Sequence, residues 1–244
     1  MRIDILGVGF DGFSLDEAVT RALGIIDDNK KAYIVTPNPE IVWMARRDET
    51  LRDTLNGAGI VLPDGVGITI AARILGSPLP GGRVPGVDFI TALLAKMAAT
   101  GARVFLLGAK PGVAIEAGFK LAEMHNGLVI SGTADGYFKD DMPVIEKINS
   151  SGSDLLLVCL GAPKQELWMA KNSDRIRVPL SIGLGGALDI FSGKAKRAPM
   201  FFQKLGLEWF YRLVREPYRI KRMIKLPLFL FAVIWKRVRG KRGG

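Results

Sequence analysis

Asp64 closes the run Ile60-Val61-Leu62-Pro63 and opens onto Gly65 and Gly67 in the stretch IVLPDGVG. A β-branched apolar run that stops at proline reads as a short strand. The carboxylate therefore stands at a strand end, where open α/β sheets collect ligands and where glycine lets the backbone approach a substrate closely. A carboxylate in that position can act as a general base. It can equally cap the helix that begins near Val66, because Asp is a favoured N-cap residue. Thr36 and Asn38, in TPNPE, stand at the end of another predicted strand, AYIVT. There Asn38 is the N-cap and Pro39 the first residue of a helix whose spacing continues to about Gly57. Capping does not require Thr36, and two polar groups beside a carboxylate suit the hydroxyls of a sugar.

The chemistry open to the chain is narrowed by what it lacks. His125 is the only histidine and Cys159 the only cysteine among 244 residues. No Cys/His zinc cluster and no internal disulfide can form, and a reducing compartment is expected. A histidine-based triad would have to use His125, which the pattern places near a helix end, so a carboxylate is the expected base. Cys159 lies inside the apolar run LLLVCLG and reads as buried packing. No D-x-D motif is present to hold a metal, and no metal or other cofactor is expected.

The elements that must position these groups follow from the hydrophobic periodicity. Arg2 to Leu6 reads as a strand, and Ser14 with Glu17 forms a capping box opening a helix to about Asp27. Between them, Gly7, Gly9 and Gly12 spell G-x-G-x-x-G, yet the next strand ends in Thr36 without the acidic residue that would hold a dinucleotide ribose. A turn or hairpin is the better reading. GGRVPGVDF places Arg83 and Asp88 in a Gly/Pro-rich segment before a helix to about Thr100, either a plain connector or a mobile substrate flap. From Ala102 the chain alternates strictly: strand VFLLG, turn AKPG, helix to His125, strand LVISG, loop TADGYF, helix to Ser150, strand DLLLVCLG. That order predicts an α/β fold, a Rossmann-like mostly parallel sheet with helices on both faces. The turn Gly108 to Gly112 at a helix start favours phosphate. Tyr137, in the next strand-end loop, either stacks on a base or is a partly buried loop aromatic.

Charge divides the chain. Residues 195–244 carry 14 Lys/Arg against 2 Asp/Glu, which leaves 20 against 22 in residues 1–194. A near-neutral α/β domain (1–194) with a basic helical C-terminal appendage (195–244) implies an anionic partner, nucleic acid or a membrane face. Arg212, Arg215, Arg219 and Arg222 fall on one helical stripe, although Pro217 is expected to divide it, and the bland reading is a solvated basic face. Beyond them LPLFLFAVIW is apolar for ten residues. As a helix it spans roughly 15 Å against a hydrocarbon core of about 30 Å, too short to cross, so it reads as an interfacial anchor. Charge paired with so dense an apolar run, on a slightly acidic body, argues against nucleic acid. The start MRIDILGVGFDGF meets charge too soon for a signal peptide.

After Cys159 come GAPKQELWM and GLGGALDIFSG, and with TPNPE, LPDGVG, FLLGAKPG and GYF in this order and spacing the chain, from residue 1 to about 195, resembles the WecG/TagA/CpsF family of glycosyltransferases. GLEWFYRLVREPYR resembles the basic appendage of its TagA-like members. The resemblance implies inverting transfer of N-acetylmannosamine, or a related sugar, from a UDP donor. The acceptor would be the 4-hydroxyl of undecaprenyl-diphosphate-linked N-acetylglucosamine, in wall teichoic acid linkage-unit or related surface polysaccharide synthesis. It implies that Asp64 is the base, Thr36 and Asn38 sugar contacts, and Gln165 a contact near the donor sugar and phosphates. Glu166, Arg83 from the flap, and Gly108, Tyr137, Gly185 and Asp189 at the nucleotide complete the expected site. An inverting displacement needs one base and no nucleophile, in keeping with a lone carboxylate. Arg212, Arg215, Arg219 and Arg222 would face a diphosphate. The expected partners are thus the UDP-sugar, the lipid-linked acceptor and the anionic inner face of the cell membrane, with no nucleic acid. A homo-oligomer stays open when the tail is undocked, as do a non-catalytic sugar-nucleotide-binding protein and a uronic acid-transferring relative.

Overall fold

The computed structural model describes residues 2–215, 220 and 224–240. Its centre is a six-stranded, wholly parallel sheet in the order β4-β3-β8-β7-β5-β6, built from β3 (Ala32–Val35), β4 (Ile60–Val61), β5 (Arg103–Gly108), β6 (Val129–Ala134), β7 (Leu155–Cys159) and β8 (Leu180–Gly183). Parallel strands covered on both faces read as continuous apolar runs, and β7, LLLVC, is buried throughout. Alternate residues supply two cores. Val104, Leu106, Leu155, Leu157 and Cys159 face one side, where α1 (Leu15–Asp27), α5 (Gly86–Ala98), α6 (Val113–Met124) and α9 (Ala187–Phe191) pack. Phe105, Leu107, Leu156 and Val158 face the other, covered by α2 (Pro39–Ala45), α3 (Glu49–Gly57), α4 (Val66–Leu75), α7 (Asp141–Ser150) and α8 (Lys164–Asn172).

The N-terminal glycines make the expected hairpin. β1 (Ile3–Ile5) pairs antiparallel with β2 (Val8–Phe10) across a turn in which Gly7 takes a φ of 95°, and the hairpin joins the second core. The capping box at Ser14 and Glu17 is formed. The helix expected from Pro39 to Gly57 is instead two. α2 ends at Ala45, and Asp48 starts α3 by accepting from the Leu51 amide at 2.9 Å. A second carboxylate cap outcompetes continuation because it satisfies donors that a new helix end exposes. Asp88, expected in the flap segment, lies in the first turn of α5.

In the tail, α10 (Met200–Lys204) and α11 (Glu208–Arg215) precede α12 (Lys225–Gly240), which lies against α4 and α2. Phe229 and Val233 of α12 are fully buried in the second core, while Phe231 and Trp235 are 67% and 51% exposed. The apolar run therefore has an inward and an outward side. Among the described residues no helix is long and apolar enough to cross a membrane. Pro217, Arg219 and Arg222 lie outside the described residues.

Candidate active site

Because the sheet is parallel, every strand ends on the same edge, and the expected site residues gather there. The loop after β3 leads to α2 on one face and that after its neighbour β8 leads to α9 on the other. The same reversal occurs between β5, followed by α6, and β7, followed by α8. Loops that part to opposite faces leave a crevice between them. The first crevice holds Thr36, Asn38, Asp64 and Gly185, the second Gly108 and the start of α8.

Asp64 is half-buried, and its amide donates to the Pro37 carbonyl at 3.3 Å, which ties the DGVG turn to TPN. It does not occupy the N-cap of α4. That position is Gly65, with a φ of 89°, a conformation that side chains other than glycine rarely adopt. Gly67 is needed for a different reason, since a Cβ there would lie 2.6 Å from Pro39 Cγ. The first turns of α2 and α4 thus meet beside the carboxylate. Asn38 caps α2 as expected, Oδ1 accepting from the Glu40 and Ile41 amides at 3.0 and 3.1 Å, which leaves its amide nitrogen as the donor for a ligand. Thr36 is 8% exposed and donates to the Gly183 carbonyl at 3.2 Å, joining the ends of β3 and β8.

Gln165 and Glu166 occupy the first turn of α8, both buried. Gln165 Oε1 accepts from the Gly185 amide at 2.8 Å, and its Nε2 donates to Glu166 Oε1 at 2.9 Å. Glu166 is 1% exposed, and its Oε2 has no hydrogen-bond partner. Burial pushes its proton affinity above the usual carboxylate range, against the opposing pull of the Gln165 hydrogen bond. The carboxyl is closed to solvent. Asp189, in the first turn of α9, is half-buried near the Gly185 turn.

In the second crevice, Gly108 has a φ of 131°, and a Cβ there would fall 2.3 Å from the Cys159 carbonyl. Its place is dictated first by the close approach of β5 to β7. Tyr137 is 68% exposed at the mouth, its loop fixed by a bond from its own amide to Asp135. Beside it lies Lys164, a residue the sequence reading passed over. Its Nζ donates to the Gly136 carbonyl at 3.2 Å and sits 5.2 Å from the centre of the Phe138 ring. Its signal was its place at the head of α8, directly after GAP.

Arg83 points to the tail, donating to the Gln203 carbonyl at 3.0 Å and lying 3.8 Å from Glu208. Glu208 also meets Arg197, which is paired with Asp88 at 2.6 Å. Four alternating charges therefore join the Arg83 segment and the first turn of α5 to α11. Arg215 is exposed over the Tyr211 ring, whereas the Arg212 side chain, like Arg219 and Arg222, lies outside the described residues. Among the described residues no group of three or more His, Cys, Asp or Glu is arranged to hold a metal. A cavity of about 290 Å³ between Tyr33, Gly57, Met169 and Val178 lies at the opposite, amino edge of the sheet, away from all of these groups.

A Rossmann-like parallel sheet with a carboxylate and paired polar groups at its carboxyl edge is an α/β architecture of the nucleotide-binding type. The chain belongs to the WecG/TagA/CpsF family of glycosyl transferases, whose family model matches residues 3–243. It is 40% identical over 209 residues, 86% of this chain and 81% of the relative, to a Bacillus spizizenii protein named N-acetylglucosaminyldiphosphoundecaprenol N-acetyl-beta-D-mannosaminyltransferase. Proteins of the same name in Bacillus subtilis (37%, over 86% of this chain and 81% of the relative) and Staphylococcus aureus strain MW2 (32%, over 95% and 92%) are also similar.

Proposed function

We infer that this protein is an inverting glycosyltransferase. It moves an N-acetylmannosaminyl group from a UDP donor to the 4-hydroxyl of undecaprenyl-diphosphate-linked N-acetylglucosamine, as in wall teichoic acid linkage-unit synthesis. The observation that carries the mechanism is the seat of Asp64, half-buried at the strand-end crevice beside the first turns of α2 and α4. Asp64 takes the proton of the acceptor hydroxyl as that oxygen bonds to the anomeric carbon, and the bond from that carbon to the UDP oxygen breaks on the opposite face. Asn38, Thr36 and Gln165 frame the sugar. The nucleotide lies toward the β5–β7 crevice, with Tyr137 at the base, Gly108, Gly185 and Asp189 along the loops and Glu166 beneath. Charge on departing UDP meets the amino ends of α6 and α8, Lys164, and the arginines of the tail, with no metal required.

Membrane attachment is part of this reading. The outward residues of α12, Phe231 and Trp235, join exposed Phe201, Phe210 and Val214 in offering apolar contact from a basic segment, as a peripheral protein on the inner membrane face needs. The deciding assay follows UDP release with a soluble acceptor analogue. Asp64→Asn should lower turnover by about 10² or more with UDP affinity nearly intact, and EDTA should leave the wild-type rate unchanged. Near-normal turnover in Asp64→Asn would sink the base assignment, and a loss in EDTA that Mg²⁺ restores would reveal a metal site.

A further inference from the structure

Glu166 is an expensive residue to bury. It is 1% exposed, Oε2 has no partner, and Oε1 accepts from the side chain of its chain neighbour, Gln165. Burying an acid without a cation is costly and raises its proton affinity, so packing alone would be better served by an apolar residue of the same volume. What the carboxylate does supply is an acceptor of fixed position.

That acceptor decides which way the Gln165 amide points. The two ends of a glutamine amide have nearly the same shape and opposite hydrogen-bonding character. With Nε2 held toward Glu166 Oε1, the oxygen must face the Gly185 amide, and it does, at 2.8 Å. Turned over, the amide would set oxygen against oxygen at Glu166 and N–H against N–H at Gly185. The consequence reaches the crevice floor. Gly185, with a φ of 55°, forms the turn between β8 and α9, and two residues earlier the Gly183 carbonyl accepts from Thr36. Gln165 Nε2 lies 3.1 Å from where a Cβ on Gly183 would stand, so the amide also packs on that backbone.

We propose that Glu166 is a positioning residue: its buried carboxylate orients the Gln165 amide, which seats the Gly183–Gly185 turn against Thr36 at the floor of the active site. Its effect on catalysis rests on the transferase reading, while its effect on the turn does not.

The test reads both. In Glu166→Met the acceptor is gone, and hydrogen exchange at the Gly185 amide of the free protein should quicken about tenfold or more, while the Ile182 and Val158 amides keep their protection. In the same variant kcat should fall about tenfold with KM for the donor changed less than threefold, and Glu166→Gln, which keeps an acceptor oxygen, should restore both. Should Met at this position prevent folding, Glu166→Ala, whose gap water can fill, serves for the same readings. Unchanged exchange at Gly185 in a folded variant overturns the proposal. So does a Glu166→Gln protein as impaired as Glu166→Met, because the carboxylate would then act on substrate directly. Freed Gly185 exchange in a protein with no transferase activity even as wild type supports the positioning role and overturns only the functional reading.

Discussion

Cys159 and Gly108 show how tightly the carboxyl edge is set at the scale of single residues. The glycine exists because its neighbour's carbonyl occupies the space of a side chain, 2.3 Å from an ideal Cβ. The cysteine closes β7 beneath the same crevice, and burial pushes its thiol up to about 12. A thiol so raised holds almost no thiolate at neutral pH, and it is the thiolate that reacts. Iodoacetamide at pH 8 should therefore leave the native protein unlabelled by mass spectrometry and modify it fully in urea. Labelling of the native state at the rate of a free thiol would mean that the crevice opens down to its floor. Residue identity was legible at this scale wherever the role is local: Cys159 as packing and Asn38 as a cap both follow from nearest neighbours in sequence. The bond from Gly185 to Gln165 was not, because its partners are 20 positions apart and pair only after β7 and β8 are side by side.

At the scale of elements, α12 is the instructive case. LPLFLFAVIW carries apolar side chains on every face, so periodicity cannot say which of them turn inward. The answer comes from α2 and α4, against which Phe229, Ala232 and Val233 are buried while Leu226 and Leu230 pack at the margin. The hairpin and the β-α-β alternation were readable because turn glycines and strand runs punctuate them, whereas the break at Asp48 was masked by spacing that stays helical across it. The division of α12 predicts a separation of effects. Phe229→Ala should cost about 3–5 kcal/mol in the docking of the tail, a large aromatic lost from a closed site. Phe231→Ala should leave urea stability nearly unchanged and weaken binding to anionic vesicles. Equal destabilisation by the two substitutions would contradict the two-sided packing.

For the whole molecule, the separation of charge between body and tail becomes a set of contacts. Lys225 pairs with Glu40 at 3.1 Å, Lys236 with Asp4, and Arg237 donates to the Leu75 carbonyl, while Arg83, Glu208, Arg197 and Asp88 join the segment before α5 and its first turn to α11. These partly exposed pairs are individually weak and screened by salt, so the buried face of α12 supplies most of the hold and the charges fix its register. The tail is thus fastened to the body at α11 and along α12, on either side in sequence of Arg219 and Arg222. We therefore expect the tail to complete the active site as well as to anchor it. Removing residues 195–244 should abolish vesicle binding, uncover the α2–α4 surface and promote self-association, which makes the truncation a blunt test. The sharper one keeps α12 docked and substitutes Arg215→Ala, Arg219→Ala and Arg222→Ala together, assayed on a soluble acceptor analogue that needs no membrane. UDP should still bind while turnover falls about 10² or more, because the lost groups act on charge that develops as UDP departs. Full activity of that variant would confine the tail to anchoring and place every diphosphate-stabilising group within residues 1–194, with Lys164 and the amino ends of α6 and α8 as the remaining candidates.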